Sequence, residues 1–291
     1  MSLVVRELIL NDLAVAEEIV RTAYNMRPGQ NTGLERYLSL QPDGWLLVES
    51  CGVPVALGGI MHYGPFGYIG LMSVLPAMQH RGIGRLLMEH LLAWFQVRNG
   101  ATILLDASVA GAPLYLSMGF TVDDTVMELC RDNDREFPIS HQLSSHYLVD
   151  ISALEETDIP ELVVFDSPYL GAPRPTIFAS YLADCQQRAF VARDNAGKIT
   201  GYLFAQTGGR LGPWVAVAPG NAEMLLMRAL QLPATGNEYI ALVPSANSEA
   251  QQLLFRYGFR QRRVLQHMRL GDPVQLRDRT KIYGQASFGL G

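Results

Sequence analysis

The sequence predicts a mixed α/β protein made of two tandem domains. Strand and helix patterns alternate along the chain, and their order in the second half repeats the order in the first. The chain has 291 residues, whereas a domain usually holds roughly 100–200, so two domains are expected. Hydrophobic residues make up 48% of the chain and charged residues 18%, which is typical of a globular protein with a sizeable core.

In the first half, apolar residues alternate with period two in the predicted strands and recur at helical spacing in the predicted helices. Asn11 or Asp12 is expected to cap the first helix, and Cys51 and Gly52 to form a hairpin turn. The expected strands are 3–10, 44–50, 53–63, 67–75, 101–107 and 125–130, and the expected helices are 12–26, 35–40, 84–100 and 111–120.

The second half repeats this order of elements at a period near half the chain, which indicates a duplicated domain. The expected strands are 146–154, 211–219 and 238–247, the expected helices are 155–170, 222–232 and 248–259, and 189–209 is expected to form a hairpin. The tail, 281–291, is expected to form a last strand on the sheet. The domain boundary is expected in the charged stretch 131–142, which gives domains of residues 1–135 and 145–291.

Composition excludes several functional classes. The formal net charge of −5 argues against nucleic acid as the main partner. Three distant cysteines, Cys51, Cys130 and Cys185, form no metal-ligand pattern, so we expect no metal site, no disulfide and a reducing cytosol. A signal pattern and a long apolar run are both missing from the sequence, so we expect a cytoplasmic protein without a membrane span.

A glycine-containing loop joins a predicted strand to a predicted helix. Unpaired backbone N–H groups at a helix N-terminus suit a phosphate or pyrophosphate, and glycine lets the ligand touch the backbone. The dinucleotide-binding pattern G-x-G-x-x-G fails because position 87 is Leu, and a P-loop needs G-K-[ST], which does not occur. The pattern present is V-x-P-x-x-Q-x-x-G-x-G, formed by Val74, Pro76, Gln79, Gly82 and Gly84.

This pattern, followed about 30 residues later by "LYLSMGF", resembles the acyl-CoA pyrophosphate loop of the GCN5-related N-acetyltransferases (GNAT superfamily). The resemblance implies two tandem GNAT-fold domains, each with a mixed, mostly antiparallel central sheet flanked by helices. It also implies a gap between two splayed parallel strands that holds the acyl thioester. It assigns acyl-CoA binding to Met72, Ser73, Val74, Gln79, His80, Arg81, Gly82, Ile83, Gly84, Arg85, Ser108 and Tyr115.

Direct N-acyl transfer needs a neutral amine, a polarised thioester and a proton for the departing thiolate. The resemblance implies that Tyr115 supplies this proton, and a phenol with a pKa near 10 can do so. The alternative is a tyrosine ring that packs beside the donor without transferring a proton. Ser108 stands where the family often has Asn, which puts that contact with the donor in doubt.

The general base remains open at the level of sequence. Asp106 at a strand end, His62 on the third strand, Glu49 and a chain of waters are the candidates, but each side chain also has a structural alternative. Asp106 could cap the next helix, and His62 could simply line the cleft. Tyr24 and Tyr37 could shape the acceptor pocket, although aromatic residues of helices usually belong to the core.

The second half lacks the pattern that suggests acyl-CoA binding. The interval from Pro219 to Gly258 is four residues shorter than that from Pro76 to Gly119, and the missing residues fall in the loop. Leu254 stands at the position of Tyr115, whereas Asn247 and Ala250 keep the family pattern. We expect a degenerate domain that completes the acceptor cleft or stabilises the first domain. The tail resembles that of a bacterial tandem group of the YitH type.

We therefore expect an acetyl-CoA-dependent N-acetyltransferase that acts on a primary amine of a small molecule or peptide. The alternative is a non-enzymatic acyl-CoA-binding sensor or regulatory module. Neither nucleic acid nor a membrane is an expected partner, and the protein is expected to be a monomer or a homodimer.

Overall fold

The structure is a computed structural model that describes residues 2–26, 32–133, 150–233, 236–275 and 277–291. Over these residues the chain forms eight α-helices and thirteen strands. It divides into two compact units. Unit 1 consists of Met1–Asp123, His267–Val274 and Phe288–Gly291, and unit 2 of Asp124–Gln266 and Gln275–Ser287.

Unit 1 is built on five strands with antiparallel pairing from β1 to β4 and parallel pairing of β4 with β5. The last four residues of β12 (Arg260–Leu270) also belong to unit 1. The elements are β1 (Leu3–Glu7), α1 (Leu13–Tyr24), α2 (Leu34–Leu40), β2 (Trp45–Ser50), β3 (Val53–His62), β4 (Phe66–Val74), α3 (Ile83–Gln96), β5 (Thr102–Ala107) and α4 (Ala112–Leu116).

Unit 2 has a five-stranded sheet in the order β13-β10-β9-β8-β7, and β11 pairs antiparallel with β6 outside that sheet. Its helices and strands are β6 (Thr121–Asp132, of which the first three residues lie in unit 1), β7 (Asp150–Ala153), α5 (Ile159–Leu170), α6 (Pro175–Asp184), β8 (Ala189–Arg193), β9 (Ile199–Ala205), β10 (Leu211–Ala216), α7 (Pro219–Leu230), β11 (Glu238–Pro244), α8 (Ser248–Arg256) and β13 (Ile282–Gly284). The mixed sheets flanked by helices confirm the predicted fold class.

Helix α3 shows why the chain is helical after the glycine loop. Its buried residues, Ile83, Leu87, Met88, Leu91 and Phe95, recur at helical spacing and join one apolar core with β3, β4 and β5. Each buried side chain of this size stabilises the fold by about 1.5–3 kcal/mol. The helix ends at Gln96, before the predicted end at 100, and the chain turns at the predicted stop signal, where Asn99 takes a left-handed φ of 58° and the Gly100 N–H donates to the Phe95 carbonyl.

The start of the chain differs from the sequence prediction. The first strand ends at Glu7, and residues 10–12 form a 3-10 turn that leads into α1. The side chain of Asp12 does not cap α1. Its carboxylate accepts hydrogen bonds from Arg6 at 2.7 and 2.9 Å and from the Ile9 N–H at 3.0 Å. Two charge-assisted bonds are stronger than a single neutral cap, so the carboxylate turns toward the arginine.

The two compact units are not consecutive in sequence. The segment His267–Val274 follows strands of the second repeat and yet packs in unit 1, where Met268 lies in the core beside β5. The tail was expected to form one last strand, but only Ile282–Gly284 does so, and Phe288–Gly291 packs in unit 1. There, Gly289 lies so close to Gly70 of β4 that a Cβ on Gly70 would overlap its backbone.

Part of the predicted boundary lies outside the described residues. Strand β6 continues to Asp132, so the first two residues of the stretch 131–142 belong to a strand. Residues 134–142 lie outside the described ranges, as do the ends given for the predicted domains, 135 and 145.

Candidate functional site

Strands β4 and β5 pair only over part of their length. Their parallel ladder runs from Phe66 opposite Thr102 to Ile69 opposite Leu105 and then stops, although both strands continue. Beyond that point β4 stays paired with β3, but the register shifts and Leu71 takes a positive φ of 52°. This irregularity is a β-bulge, which bends a strand locally. The bend separates the two strands at the point where the family resemblance predicts a gap.

The predicted binding edge, Met72 to Val74, lies on the bent part of β4. The Met72 side chain packs against Gly58 and Leu87, and the buried Ser73 hydroxyl donates to the Leu71 carbonyl at 2.8 Å. Only the backbone of this edge is therefore suited to bind a ligand. The Tyr24 hydroxyl donates to the Met72 carbonyl at 3.1 Å, so Tyr24, at the end of α1, covers this edge.

The glycine loop ends in a left-handed residue at the start of α3. Gly82 has a φ of 81°, and a Cβ placed on it would meet nothing within 4 Å. The backbone N–H groups from His80 to Arg85 donate no hydrogen bond within the part of the chain that the structure describes. Such N–H groups at the positive end of a helix dipole attract an anion. These N–H groups are the ones to which the predicted anion would bind.

The side chains of the loop hold it in shape. Gln79 Nε2 donates to the Val74 carbonyl at 3.1 Å, which ties the loop to the end of β4. Ile83 is 1% exposed and anchors the first turn of α3 in the core, whereas His80 and Arg81 are exposed. Arg85 donates to the Ser117 hydroxyl at 2.6 Å. The conformation of the loop is thus fixed by contacts that leave its N–H groups accessible.

Tyr115 lies on α4 and packs into the same core as α3. It is 7% exposed, and burial, followed by the nearby Tyr24, raises the pKa of its phenol. The phenol therefore keeps its proton at neutral pH. The Ser108 hydroxyl accepts from the Gly111 N–H at 3.2 Å, so Ser108 has a structural role at the start of α4. A Cβ on Gly111 would lie 3.4 Å from Ser108 Oγ and 3.6 Å from Tyr115 Oη, which places both hydroxyls beside Gly111.

Asp106 follows directly after Leu105, the last residue of β5 that pairs with β4. Its side chain is fully buried and accepts from the Tyr68 hydroxyl at 2.6 Å, while its other oxygen lies 2.7 Å from His267 Nδ1. Asp106 therefore does not serve as the cap of the next helix, which was its structural alternative. No sequence pattern points to Tyr68 or His267, because 161 positions separate Asp106 from His267 and no motif spacing links them.

The other candidate bases lie elsewhere. His62 pairs with Gly67 at the opposite end of β4, seven residues or about 23 Å of strand from Val74. Its ring packs against Trp94 and Phe95 at centroid distances of 6.4 and 5.4 Å. Glu49 forms an ion pair with Arg6 at 2.8 Å. The structure thus brings neither side chain to the gap between β4 and β5.

The two helix tyrosines have different surroundings. Tyr37 is 4% exposed and stacks on Trp45 at 5.2 Å, which makes it a core residue. Tyr24 is 40% exposed and reaches the edge of β4. Of the two, only Tyr24 is accessible to an acceptor.

Unit 2 lacks the loop. Helix α7 begins at Pro219 two residues after β10 has ended, and Gly220 and Asn221 are buried in its first turn. On α8, Leu254, which stands at the position of Tyr115 in the sequence comparison, is 0% exposed. Asn247 caps α8, because its Oδ1 accepts from the Ala250 N–H at 2.9 Å.

The gap between β10 and β11 in unit 2 is filled by the chain itself. The two strands meet at a parallel bridge between Arg210 and Ile240. Beyond it, β13 pairs antiparallel with β10, with Trp214 opposite Gly284, and the Gln285 N–H donates to the Leu242 carbonyl of β11 at 2.9 Å. Strand β13 therefore lies beside β10 in unit 2. The corresponding place in unit 1 is beside the part of β4 that no longer pairs with β5.

Within the described ranges, no group of three or more His, Cys, Asp and Glu residues could hold a metal ion. None of the helices described here is both long and apolar enough to cross a lipid bilayer. All three cysteines are free, with Cys51 exposed and Cys130 and Cys185 buried.

Unit 1 combines a parallel strand pair that parts along its length with a glycine loop at the start of a helix, which is the arrangement that the family resemblance predicts. Two family models, both described as an acetyltransferase (GNAT) domain, match residues 41–122 and 162–284. The chain therefore belongs to the GNAT acetyltransferases and carries two GNAT domains in tandem. A search of curated proteins finds no significant match.

Solved structures are similar over nearly the whole chain. An acetyltransferase assigned by similarity from Pyrococcus horikoshii is 26% identical, with a TM-score of 0.81 over 99% of this chain and 96% of its own. A GCN5-related N-acetyltransferase from Sphaerobacter thermophilus is 14% identical, with a TM-score of 0.70 over 97% and 98%. A tandem GNAT protein from the clavulanic acid biosynthesis pathway is 14% identical, with a TM-score of 0.65 over 94% and 99%. These likenesses support the tandem GNAT architecture and do not distinguish a YitH-type subgroup.

Proposed function

We propose that unit 1 transfers an acetyl group from acetyl-CoA to a primary amine of a small molecule or peptide by direct attack. The observation that carries the proposal is the set of backbone N–H groups from His80 to Arg85, which have no partner in the described chain and begin a helix. This arrangement suits the pyrophosphate of coenzyme A. Membership in the GNAT acetyltransferases supports the choice of donor.

The bent edge of β4 supports a role in holding the donor. Gly70, Ser73 and Val74 pair with β3 on one side, while on the other side the ladder with β5 has ended. An extended ligand with amide groups can hydrogen-bond to such an edge, as an added strand does. The pantetheine arm of acetyl-CoA has this chemistry.

Tyr115 is proposed to protonate the departing thiolate. Burial raises the pKa of its phenol, so the residue holds its proton at neutral pH but is a weaker acid than an exposed phenol. The same burial destabilises a thiolate formed beside it, because desolvation penalises both anions. Proton transfer from the phenol to the thiolate is therefore more favourable when both groups are buried than when only the phenol is buried.

Asp106 is proposed as the group that accepts the proton from the amine. It is the candidate carboxylate at the end of the β4–β5 ladder, whereas His62 and Glu49 lie elsewhere. Its side chain points away from the face that carries Leu105, Ala107 and Tyr115, since side chains alternate along a strand. The thiolate would then gain its proton from Tyr115 on one face of the sheet, and the amine would lose its proton to Asp106 on the other.

The test is a thiol-release assay with acetyl-CoA and three amines: an alkyl diamine, an amino sugar and a peptide with a free N-terminus. We expect Tyr115→Phe to lower kcat about 10²-fold with a nearly unchanged KM for acetyl-CoA. Tyr257→Phe is the matched control, because Tyr257 is a buried phenol of unit 2 that bonds to Glu223 at 3.0 Å. This control should retain wild-type turnover.

Two results would contradict the enzymatic proposal. Binding of coenzyme A by calorimetry without turnover of any amine would favour the alternative, a non-enzymatic acyl-CoA sensor. Failure to bind coenzyme A at all would exclude both functions.

A further inference from the structure

We infer that His267, which comes from the second repeat of the sequence, is a positioning residue for proton transfer in unit 1, acting through Asp106. This inference rests on the proposed function. His267 lies on the last part of β12, which packs as part of unit 1. It does not need to touch the substrate to affect the reaction.

A buried hydrogen-bonded chain links three side chains. The Tyr68 hydroxyl donates to Asp106 Oδ2 at 2.6 Å, and His267 Nδ1 lies 2.7 Å from Asp106 Oδ1. The exposed fractions of the His267 and Asp106 side chains are 1% and 0%, and Tyr68 is also fully buried. A buried carboxylate is costly unless it is hydrogen-bonded, so the position of Asp106 depends on both partners.

The chemistry of the three groups defines the protonation of the imidazole. A proton acceptor starts ionised, and an ionised carboxylate can only accept hydrogen bonds, so the proposed role of Asp106 requires a proton on Nδ1 of His267. Together with the Tyr68 hydroxyl, this N–H fixes both oxygens of the carboxylate. The orientation of the carboxylate is therefore set by His267 on one side and Tyr68 on the other.

The location of the chain supports a role in the reaction. Asp106 is the first residue of β5 after its pairing with β4 stops, and its backbone is partly exposed although its side chain is buried. Tyr115 lies in the core on the other face of the sheet. The carboxylate and the phenol thus flank the place where the proposed thioester would lie.

The proton balance of the step is complete with these groups. The amine nitrogen forms a bond to the thioester carbonyl carbon, and the bond from that carbon to sulfur breaks. Asp106 takes the proton that leaves nitrogen, and Tyr115 gives its proton to sulfur. The enzyme returns to its starting state when one proton passes from Asp106 to Tyr115 through water, so no other reactant is needed.

A purely structural role would predict different mutant behaviour. If His267 only stabilised unit 1, its loss would lower the unfolding temperature but leave the kcat of the folded protein unchanged. If it positions Asp106, its loss lowers kcat while the KM for acetyl-CoA stays nearly constant, because the donor contacts the loop and β4.

The experiment compares three substitutions in the full chain with the amine that the wild type uses best. Asn at position 267 can place an amide N–H where Nδ1 stands, Gln places it nearer Nε2, and Leu has none. We expect His267→Leu to lower kcat about 10²-fold, His267→Gln about tenfold or more, and His267→Asn less than fivefold, with the acetyl-CoA KM within about twofold throughout. His90→Leu, on the exposed face of α3, is the control for loss of an imidazole.

The outcomes separate this inference from the proposed function. Equal kcat values for wild type, Asn, Gln and Leu would overturn the role of His267 alone. If the Leu variant fails to fold, equal kcat values for the Asn and Gln variants would overturn it as well. A wild type that acetylates no amine would overturn the proposed function, and this inference with it.

Discussion

The two repeats differ at the pair of parallel strands that part along their length, which are β4 and β5 in unit 1 and β10 and β11 in unit 2. In unit 1, β4 and β5 part after Ile69 and Leu105, and a loop with accessible N–H groups follows β4. In unit 2, β10 and β11 part after a single bridge, but β13 occupies the space and α7 starts almost at once. In unit 2 the chain itself supplies backbone hydrogen bonds at this place, through β13 and Gln285.

This difference indicates how a duplicated domain can lose a binding site and keep its fold. A strand edge that is neither paired nor solvated is costly, so a repeat that gives up its ligand needs another partner for that edge. Three residues, Ile282–Gly284, supply that partner. On α8 the buried Leu254 stands at the position that Tyr115 holds in unit 1.

The largest expected effect concerns the strand that fills unit 2. A Cβ on Gly284 would overlap the Leu211 carbonyl, so Gly284→Ala should lower the free energy of unfolding by about 3 kcal/mol. Gly197→Ala is the control: it has a φ of 79° with nothing within 4 Å of its Cβ, and should cost about 1 kcal/mol. Urea unfolding measures both variants.

Calorimetric titration of coenzyme A into the wild type, Gly284→Ala and Gly197→Ala tests the same comparison. We expect one coenzyme A per chain in wild type and in both variants. Similar unfolding free energies for the two alanine variants would show that β13 does not pack tightly against Leu211. Two coenzymes A per chain in the wild type would show that the second gap is open.

The next effect concerns the loop of unit 1. Gly82 has nearly the same backbone conformation as Gly197, with φ values of 81° and 79°, and the Cβ of either residue would meet empty space. Gly82→Ala and Gly197→Ala should therefore lose similar stability. Only Gly82→Ala should weaken coenzyme A binding, by about tenfold or about 1.4 kcal/mol, because it adds a methyl group beside the N–H groups. Equal affinities in calorimetric titrations would exclude this loop as the anion site.

The smallest expected effect is electrostatic. Arg81 is exposed in the loop, and Arg81→Gln should weaken coenzyme A binding about threefold at low salt. The difference should fall below measurement at about 0.5 M salt, where exposed charges are screened. Arg256→Gln removes an exposed arginine of unit 2, whose partner is Glu223 at 3.4 Å, and should leave the affinity unchanged. A loss that persists at high salt would point to a structural role of Arg81.

Much of the architecture could be predicted from the sequence, because it depends on local patterns. Helix α3 follows from apolar residues at helical spacing, and its end follows from Asn99 and Gly100. The loop follows from glycines that permit a positive φ, as Gly82 does. The missing loop of unit 2 could be predicted by comparing the repeats, since a deletion shows in the spacing of Pro219 and Gly258.

Tertiary structure decided what depends on contacts between distant residues. Asp12 turns to Arg6 instead of capping α1, because the charged partner is brought near by β1. The tail divides between β13 and unit 1, and His267 reaches Asp106, although neither contact has a spacing that a sequence pattern could reveal. Periodicity and turn chemistry act over a few residues, whereas the pairing of buried polar groups is settled only when the whole chain has packed.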